Sequence, residues 1–118
     1  NQNQRPWQFE YNNDDQLIAQ TDYAGQRSEY RYTSRGQVRE QIRYPRPGGP
    51  EAPQVVQYQY DLLDRLTIKT TGAYRTEYHY RPQQVELRKI PLDHWQECQR
   101  SGVPVSEQEV VTLSYDKL

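Results

Sequence analysis

The most regular feature of the sequence is a short aromatic pattern that recurs four times. In each copy two aromatic residues flank one polar residue, so the two rings stand two positions apart. Side chains at i and i+2 lie on the same face of a β-strand, and each copy therefore predicts a strand with one aromatic and one polar face. The copies are Phe9-Glu10-Tyr11, Tyr30-Arg31-Tyr32, Tyr58-Gln59-Tyr60 and Tyr78-His79-Tyr80.

The spacing of the copies indicates a repeat architecture. The second aromatic residues stand at positions 11, 32, 60 and 80, and a partial fifth copy surrounds Tyr115. Two insertions lengthen the spacing, one rich in proline and glycine at 45–53 and one at 91–109. Without them the unit is about 20 residues long, which is enough for two short strands and two turns.

Two further positions carry the same kinds of residue in successive units. The fourth residue after the second aromatic favours a tight turn, and the sixth is aliphatic and begins an alternating run. The fourth unit departs from this register, because Gln84 stands at the turn position, Val85 and Leu87 lie on either side of the aliphatic position, and Pro82 predicts a different loop. The turn residues are Asp15, Gly36 and Asp64, and the aliphatic residues are Leu17, Val38 and Leu66.

These patterns predict an all-β fold, an antiparallel meander of repeated two-stranded hairpins with about nine short strands. The prolines and glycines predict a loop near 45–53, and the insertion near 91–109 is expected to be helical or irregular. We interpret residues 1–118 as a single section of a repeat array, with units near 9–29, 30–57, 58–77 and 78–109 and a partial unit at 110–118.

The second insertion contains the only pairing of cysteine with histidine that suggests catalysis. Asp93 as an N-cap and Gly102 as a stop predict a short helix over 94–101. On that helix His94 and Cys98 share a face and could act as base and nucleophile. Nothing nearby in the sequence supplies a third catalytic group, whereas Trp95 and Cys98 form an apolar stripe that would dock the helix on the sheet. The structural role is therefore favoured.

The remaining candidates for chemistry are also better explained by structure. The carboxylate pairs Asp14/Asp15 and Asp61/Asp64 fall where the repeat register predicts turns, and aspartate is a common turn residue. The side chains of His79, His94 and Cys98 have no metal-ligand spacing. The glycines at 48 and 49 lie between prolines and precede no helix, unlike a phosphate-binding loop. No catalytic residue, metal site or cofactor is predicted.

The composition indicates a thin sheet that owes its apolar area to tyrosine. Hydrophobic residues make up 33% of the chain, compared with about 45–50% in ordinary globular proteins. Eleven tyrosines and two tryptophans supply most of the apolar surface, and their polar atoms can reach water or a neighbouring strand. A net charge of −1 argues against a nucleic-acid surface. The sequence has no run of apolar residues long enough for a membrane helix, no signal-peptide pattern, and a single cysteine.

The repeat resembles the Rhs, or YD-repeat, family. The family's unit is a Tyr-Asp pair, then Gly-Arg-Leu a few residues later, with a Tyr-any-Tyr strand after the next turn. Tyr60-Asp61 and Arg65-Leu66 match directly, with Asp64 in place of glycine, and Tyr115-Asp116 resembles the opening of another unit. The other units have Asn12, Thr33 and Arg81 after the tyrosine. The chain has no methionine and closes where a further repeat would begin, so we expect it to be a section of a longer polypeptide.

The resemblance implies a function for the array. Proteins of this family wind such hairpins into a hollow β-shell that encloses a toxic or variable C-terminal segment, in bacterial polymorphic toxins and related insecticidal complexes. Related animal proteins use a similar shell in cell adhesion. The chain is therefore expected to be a non-enzymatic wall section of an exported, secreted or cell-surface bacterial protein. Its expected partners are the neighbouring repeats and the enclosed C-terminal segment, and the isolated section is expected to be marginally stable or to self-associate.

A binding module is the main alternative, and an enzyme is the third hypothesis. Exposed tyrosine and tryptophan rings stack on sugar rings, so the aromatic strand face could hold a glycan or a receptor strand. Burial of the rings between strands would support the wall, whereas an open aromatic row would support the binding module. The residues expected to organise the repeat are Phe9, Tyr11, Tyr30, Tyr32, Tyr58, Tyr60, Tyr78, Tyr80 and Tyr115.

Overall fold

The structure is a computed structural model that describes residues 6–116. This part of the chain is mostly antiparallel sheet, which confirms the predicted all-β meander, with one α-helix after the eighth strand. The strands are β1 (Gln8–Tyr11), β2 (Leu17–Thr21), β3 (Arg27–Tyr32), β4 (Val38–Arg43), β5 (Gln54–Tyr60), β6 (Leu66–Thr70), β7 (Tyr74–Tyr80), β8 (Gln84–Pro91) and β9 (Val111–Asp116). The helix α1 spans Leu92–Ser101, and a 3-10 turn spans Glu107–Glu109.

The chain divides into two compact units, and the boundary between them falls between Val56 and Gln57, inside β5. In the first unit β1, β2, β3 and β4 pair in sequence order, each antiparallel to its neighbour. In the second unit β5 through β9 pair in the same way. The predicted proline and glycine loop is irregular between β4 and β5, with one turn closed by a hydrogen bond from the Gly49 amide to the Arg46 carbonyl.

Three hairpins share one geometry, which explains the turn residues of the repeat. The loops between β1 and β2, β3 and β4, and β5 and β6 each contain five residues. Their fourth residues have positive φ, at 60° for Asp15, 84° for Gly36 and 62° for Asp64, as the residue types predict. Next to each loop the register shifts by one residue, forming a β-bulge opposite the second aromatic residue.

The fourth hairpin has a different loop, as Pro82 predicts. Only residues 81–83 separate β7 from β8, and the Arg81 amide donates to the Gln84 carbonyl at 2.8 Å. Tyr80 pairs directly with Val85, without a bulge. The shorter loop therefore places Val85 where the other units have the aliphatic residue.

Each sheet unit has two distinct faces because side chains alternate along the strands. The face that carries the aromatic pairs is called the tyrosine face, and the opposite one the charged face. On the charged face lie the ion pairs between Arg27 and Glu10 in the first unit and between Arg75 and Glu77 in the second. The tyrosine face carries Phe9, Tyr11, Tyr30 and Tyr32 in the first unit, and Tyr58, Tyr60, Tyr78, Tyr80 and Tyr115 in the second.

The helix begins two residues earlier than predicted, and Asp93 is not its N-cap. The cap position is Pro91, whose φ of −52° and ψ of 130° lead from β8 straight into the helix without a capping side chain. Asp93 lies in the first turn, where its carboxylate interacts favourably with the helix dipole and accepts a hydrogen bond from the His94 amide. The predicted stop is correct, because Gly102 has φ of 75° and its amide bonds to the Cys98 carbonyl at 2.9 Å.

The helix covers part of the charged face of the second unit, which confirms the predicted docking stripe. The Arg75 guanidinium lies 4.4 Å from the centre of the Trp95 ring. Cys98 on the helix and Ile90 on β8 are buried, at 7% and 1% exposure. Among residues 6–116 only two others are buried, Ala19 and Thr76. A sheet with so few buried residues is thin, as its composition predicts.

The left-handed turn position gives a testable prediction for stability. Replacing Gly36 with alanine should lower the free energy of unfolding by about 1 kcal/mol, because a Cβ atom disfavours positive φ. The new Cβ would lie 3.6 Å from the Gln16 side chain, an ordinary contact, so the cost is conformational. Urea unfolding measures it. Gly72→Ala is the control, since Gly72 has open space around it, and an equal loss in both variants would contradict the prediction.

Candidate functional site

The second tyrosine of a unit binds the backbone of the unit before it. The hydroxyl of Tyr32 donates to the carbonyl of Leu17 at 2.5 Å. In the second sheet unit the hydroxyl of Tyr80 donates in the same way to the carbonyl of Leu66 at 2.6 Å. Each acceptor is the aliphatic residue that opens a strand next to a bulge. A part-buried hydrogen bond of this kind contributes about 1 kcal/mol, so successive repeats stabilise one another.

The rings differ in exposure according to their place in each unit. Tyr30, Tyr32, Tyr58, Tyr60, Tyr78 and Tyr80 are half-buried, and burial raises the pKa of the Tyr60, Tyr78 and Tyr80 phenols. The rings on the outermost strands are open, with exposures of 51% for Phe9, 59% for Tyr11 and 55% for Tyr115. The inner rings therefore pack on neighbouring strands, and an open ring occurs where a strand lacks a neighbour on one side.

The residue that follows the second tyrosine caps the hairpin loop. The Asp61 carboxylate accepts the amides of Leu63 and Arg65, two and four residues later, at 2.9 and 3.0 Å. Asn12 and Thr33 make the same two hydrogen bonds with a side-chain oxygen. Sequence comparison alone treats Asn12 and Thr33 as departures from Tyr-Asp, although all three residues perform one structural task.

The carboxylate pairs considered for acid–base chemistry serve these loops. Asp61 also accepts the Nε of Arg65 at 2.9 Å, and the backbone and side chain of Arg65 help to hold the pKa of Asp61 below its usual range. A general acid needs the opposite shift. Asp64 donates its amide to the Asp61 carbonyl, and the amides of Asp14 and Asp15 bond to Asn12. The geometry of both pairs is that of a capped turn.

The histidine and cysteine of α1 are close together but fasten a loop. Cys98 Sγ lies 3.7 Å from His94 Nε2, and the same nitrogen accepts the amide of Ser106 at 3.1 Å. The thiol is also 3.7 Å from the Pro104 carbonyl. Because Nε2 is already occupied by a backbone donor, this geometry holds residues 104–106 against the helix rather than preparing a thiolate.

The structure also bears on metal binding and on membrane insertion for residues 6–116. Within this range no three histidine, cysteine, aspartate or glutamate side chains are grouped closely enough to hold a metal ion. No helix in the same range is long and apolar enough to cross a membrane.

An aromatic cluster beside a polar depression was not singled out from the sequence. The ring of Trp7 lies parallel to Phe9 at 6.0 Å and edge-on to Tyr23 at 5.5 Å. The cluster borders a depression of about 190 Å³ lined also by Gln20 and Arg43. Trp7 and Tyr23 lie outside the repeated aromatic pairs, and only the hairpin brings them together, so their spacing in sequence gives no signal.

The lowered pKa of Asp61 predicts how the stability of the fold changes at acidic pH. A carboxyl group whose pKa is lowered by folding stabilises the fold above its unfolded pKa, and that contribution is lost as the pH falls from about 4. Asp61→Asn keeps an oxygen acceptor, as Asn12 does, but cannot titrate. The stability difference between wild type and Asp61→Asn should therefore shrink toward pH 2, measured by urea unfolding across this range.

Asp61→Ala serves as the comparison, because it removes the cap and should lower the urea midpoint at every pH. Wild-type and Asp61→Asn stabilities that fall in parallel between pH 5 and about 2 would contradict the assigned role of the carboxylate.

The comparisons with known proteins agree with this geometry. Residues 7–48 match the family model for the RHS Repeat. The matched region covers β1 through β4, with two capped loops and the Tyr32 hydroxyl bond. No curated protein matches the chain. The family match and the repeated turn chemistry lead to one conclusion: membership of the Rhs, or YD-repeat, family is supported for residues 7–48 of the chain.

Proposed function

We propose that the chain is a wall section of a hollow β-shell that encloses a C-terminal segment of the same polypeptide, and that it performs no catalysis. Rhs repeats are structural repeats and occur in exported or cell-surface proteins. The observation that carries the proposal is the hydroxyl bond between successive repeats, made by Tyr32 and again by Tyr80. A contact that recurs from one repeat to the next suits a surface that grows by adding units.

The outermost strands support a longer array. All residues of β1 and of β9 are exposed, whereas the strands between them, apart from β5, are mostly half-buried. An exposed strand edge pairs readily with another strand. We infer that the preceding and following repeats of a longer polypeptide cover these strands, and that the isolated section self-associates through them.

The reactive side chains of the chain have structural roles. The carboxylates and the cysteine–histidine pair that could perform chemistry hold turns and a loop instead. Arg65 lies over the Tyr80 ring at 4.6 Å, so its guanidinium also stabilises the repeat. Export of the protein from a bacterium, and a toxic character of the enclosed segment, belong to the same proposal and rest on the family alone.

Limited proteolysis of the intact protein tests the enclosure. In the wild type, a segment distal to this chain should resist protease while exposed loops are cut. Tyr60→Ala/Tyr80→Ala should make that segment cleavable, because two half-buried rings and one hydroxyl bond between repeats are lost. Tyr80→Phe, which loses only the hydroxyl, should have a smaller effect.

Trp7→Ala/Tyr23→Ala is the matched control, since it removes two exposed rings from outside the repeated pairs and from outside the second unit. Circular dichroism establishes that each variant keeps its sheet. A distal segment that is cleaved equally in wild type and in both double variants would contradict the proposal.

Oligosaccharide binding is the second candidate, favoured by the depression beside Trp7. The Trp7 ring is 40% exposed, and Gln20 donates to the Tyr30 hydroxyl, so aromatic and planar polar groups border one shallow space. A second depression of about 320 Å³ shares Gln26 and Arg43 with the first, so the two extend along the first unit. Sugar rings stack on aromatic faces, and their hydroxyls bond to amide and guanidinium groups.

Titration calorimetry of the intact protein with neutral hexasaccharides tests this candidate. Cellohexaose, chitohexaose and maltohexaose represent different linkages, and one of them should bind with a Kd of about 0.1–1 mM. Trp7→Ala should weaken binding about tenfold, a loss of one ring contact. Tyr74→Ala, which removes a ring of similar exposure outside this depression, should leave it unchanged. Absence of binding, or equal losses in both variants, would exclude this use of the depression.

A further inference from the structure

The strands of the second unit divide their charges unequally between the two faces. Their three carboxylates, Glu77, Glu86 and Asp116, all fall on the charged face. The charged side chains of these strands on the tyrosine face are Lys69 and Lys89 alone. This face therefore carries positive charge without any strand carboxylate to balance it.

The two lysines lie in one row across three neighbouring strands. Lys69 on β6 pairs with Thr76 on β7, and Thr76 pairs in turn with Lys89 on β8. Neighbouring strands are about 4.8 Å apart, so the two lysine backbones are about 10 Å apart. Thr76 between them is short and 7% exposed. A carboxylate placed above Thr76 would be within reach of both ammonium groups.

The lysines differ from the other basic residues of this unit in their partners. On the charged face Arg75 binds Glu77, and Arg88 binds Glu107 through two nitrogens, each at 2.9 Å. Lys89 instead lies over the Tyr74 ring, with its Nζ 4.7 Å from the ring centre. In the part of the chain that the structure describes, neither lysine forms an ion pair with a carboxylate.

Apolar residues lie on one side of the lysine row. The row belongs to a shallow depression of about 250 Å³ on the tyrosine face, lined on its other side by Leu87, Leu113 and Tyr115. Leu113 and Tyr115 are 39% and 55% exposed. A ligand that matches both the lysines and the apolar residues has a carboxylate close to apolar groups. An acidic polypeptide segment has this combination.

We propose that the tyrosine face of the second unit binds an acidic segment of the enclosed polypeptide, with one Asp or Glu carboxylate above Thr76 between Lys69 and Lys89. This inference rests on the proposed enclosure and names the face that meets the contents. The helix α1 already covers part of the opposite face, where Arg75 stacks on Trp95 and Cys98 is buried. Within residues 6–116 no helix lies on the tyrosine face of this unit.

Charge and composition favour a polypeptide over a nucleic acid at this surface. Two isolated ammonium groups surrounded by leucine and tyrosine offer few phosphate contacts, whereas nucleic-acid surfaces concentrate many basic groups. One carboxylate satisfies both lysines, and the border of Leu87 and Leu113 gains from burying apolar side chains.

Carbodiimide cross-linking of the intact protein tests the contact directly. The reagent joins a lysine amine to a carboxylate that touches it, and the sequence has lysines only at 69, 89 and 117. Mass spectrometry should find Lys69 or Lys89 joined to an Asp or Glu in the protease-resistant segment outside this chain. Lys69→Gln/Lys89→Gln should abolish the cross-link and speed cleavage of that segment about tenfold.

Arg46→Gln/Arg100→Gln is the matched control, because it removes the same charge from two exposed residues outside the strands of the second unit. The control should keep the cross-link and the wild-type rate of cleavage. A resistant segment without a cross-link to Lys69 or Lys89 would overturn this inference and leave the enclosure standing. Absence of any resistant segment would instead overturn the enclosure itself, and with it the assigned occupant.

Discussion

The carbonyl groups of Leu17 and Leu66 lie beside β-bulges, where strand pairing is locally disrupted and an acceptor can be reached by a side chain. Tyr32 and Tyr80 supply the donor from the next strand along the sheet. The geometry requires a bulge of fixed position, and the bulge requires a five-residue loop with its fourth residue at positive φ. The loop, the bulge and the tyrosine therefore depend on one another. The hydroxyl bond forms only where a bulged hairpin and the tyrosine of the next strand are both present.

Much of the fold could be predicted from the sequence because the repeat constrains each position several times. Alternation of side chains located the strands, and the turn residues Asp15, Gly36 and Asp64 indicated the left-handed positions. The predicted start of the helix was wrong. Pro91 ends β8 and is itself the N-cap of α1, without a capping side chain, so Asp93 does not mark the helix start.

The contacts of the site were less accessible to sequence reasoning. Asn12 and Thr33 differ from Asp61 in name but not in the hydrogen bonds they accept, and residue identity hides that equivalence. The edge-on contact of Trp7 with Tyr23 and the row of Lys69 with Lys89 depend on how the strands pair, which brings together residues 16 and 20 positions apart. Strand register is set by turn geometry together with the hydrophobic pattern, so a short stretch of sequence does not determine it alone.

The two faces of the sheet divide the tasks of the protein. On the charged face arginines pair with carboxylates, and in the second unit the helix packs on this face. Its charged groups therefore find their partners within the chain. The tyrosine face stabilises neighbouring repeats through its inner rings and leaves apolar and basic groups open. Such a division suits a wall whose one surface is closed by its own side chains and whose other surface meets contents.

Electron cryomicroscopy of the intact protein tests the central claim most directly. We expect the strands of this chain to continue at β1 and β9 into further repeats of a closed shell, with density for another segment of the polypeptide inside it. An open sheet with unpaired outer strands, or a closed shell without contents, would contradict the proposal that this chain is the wall of a container.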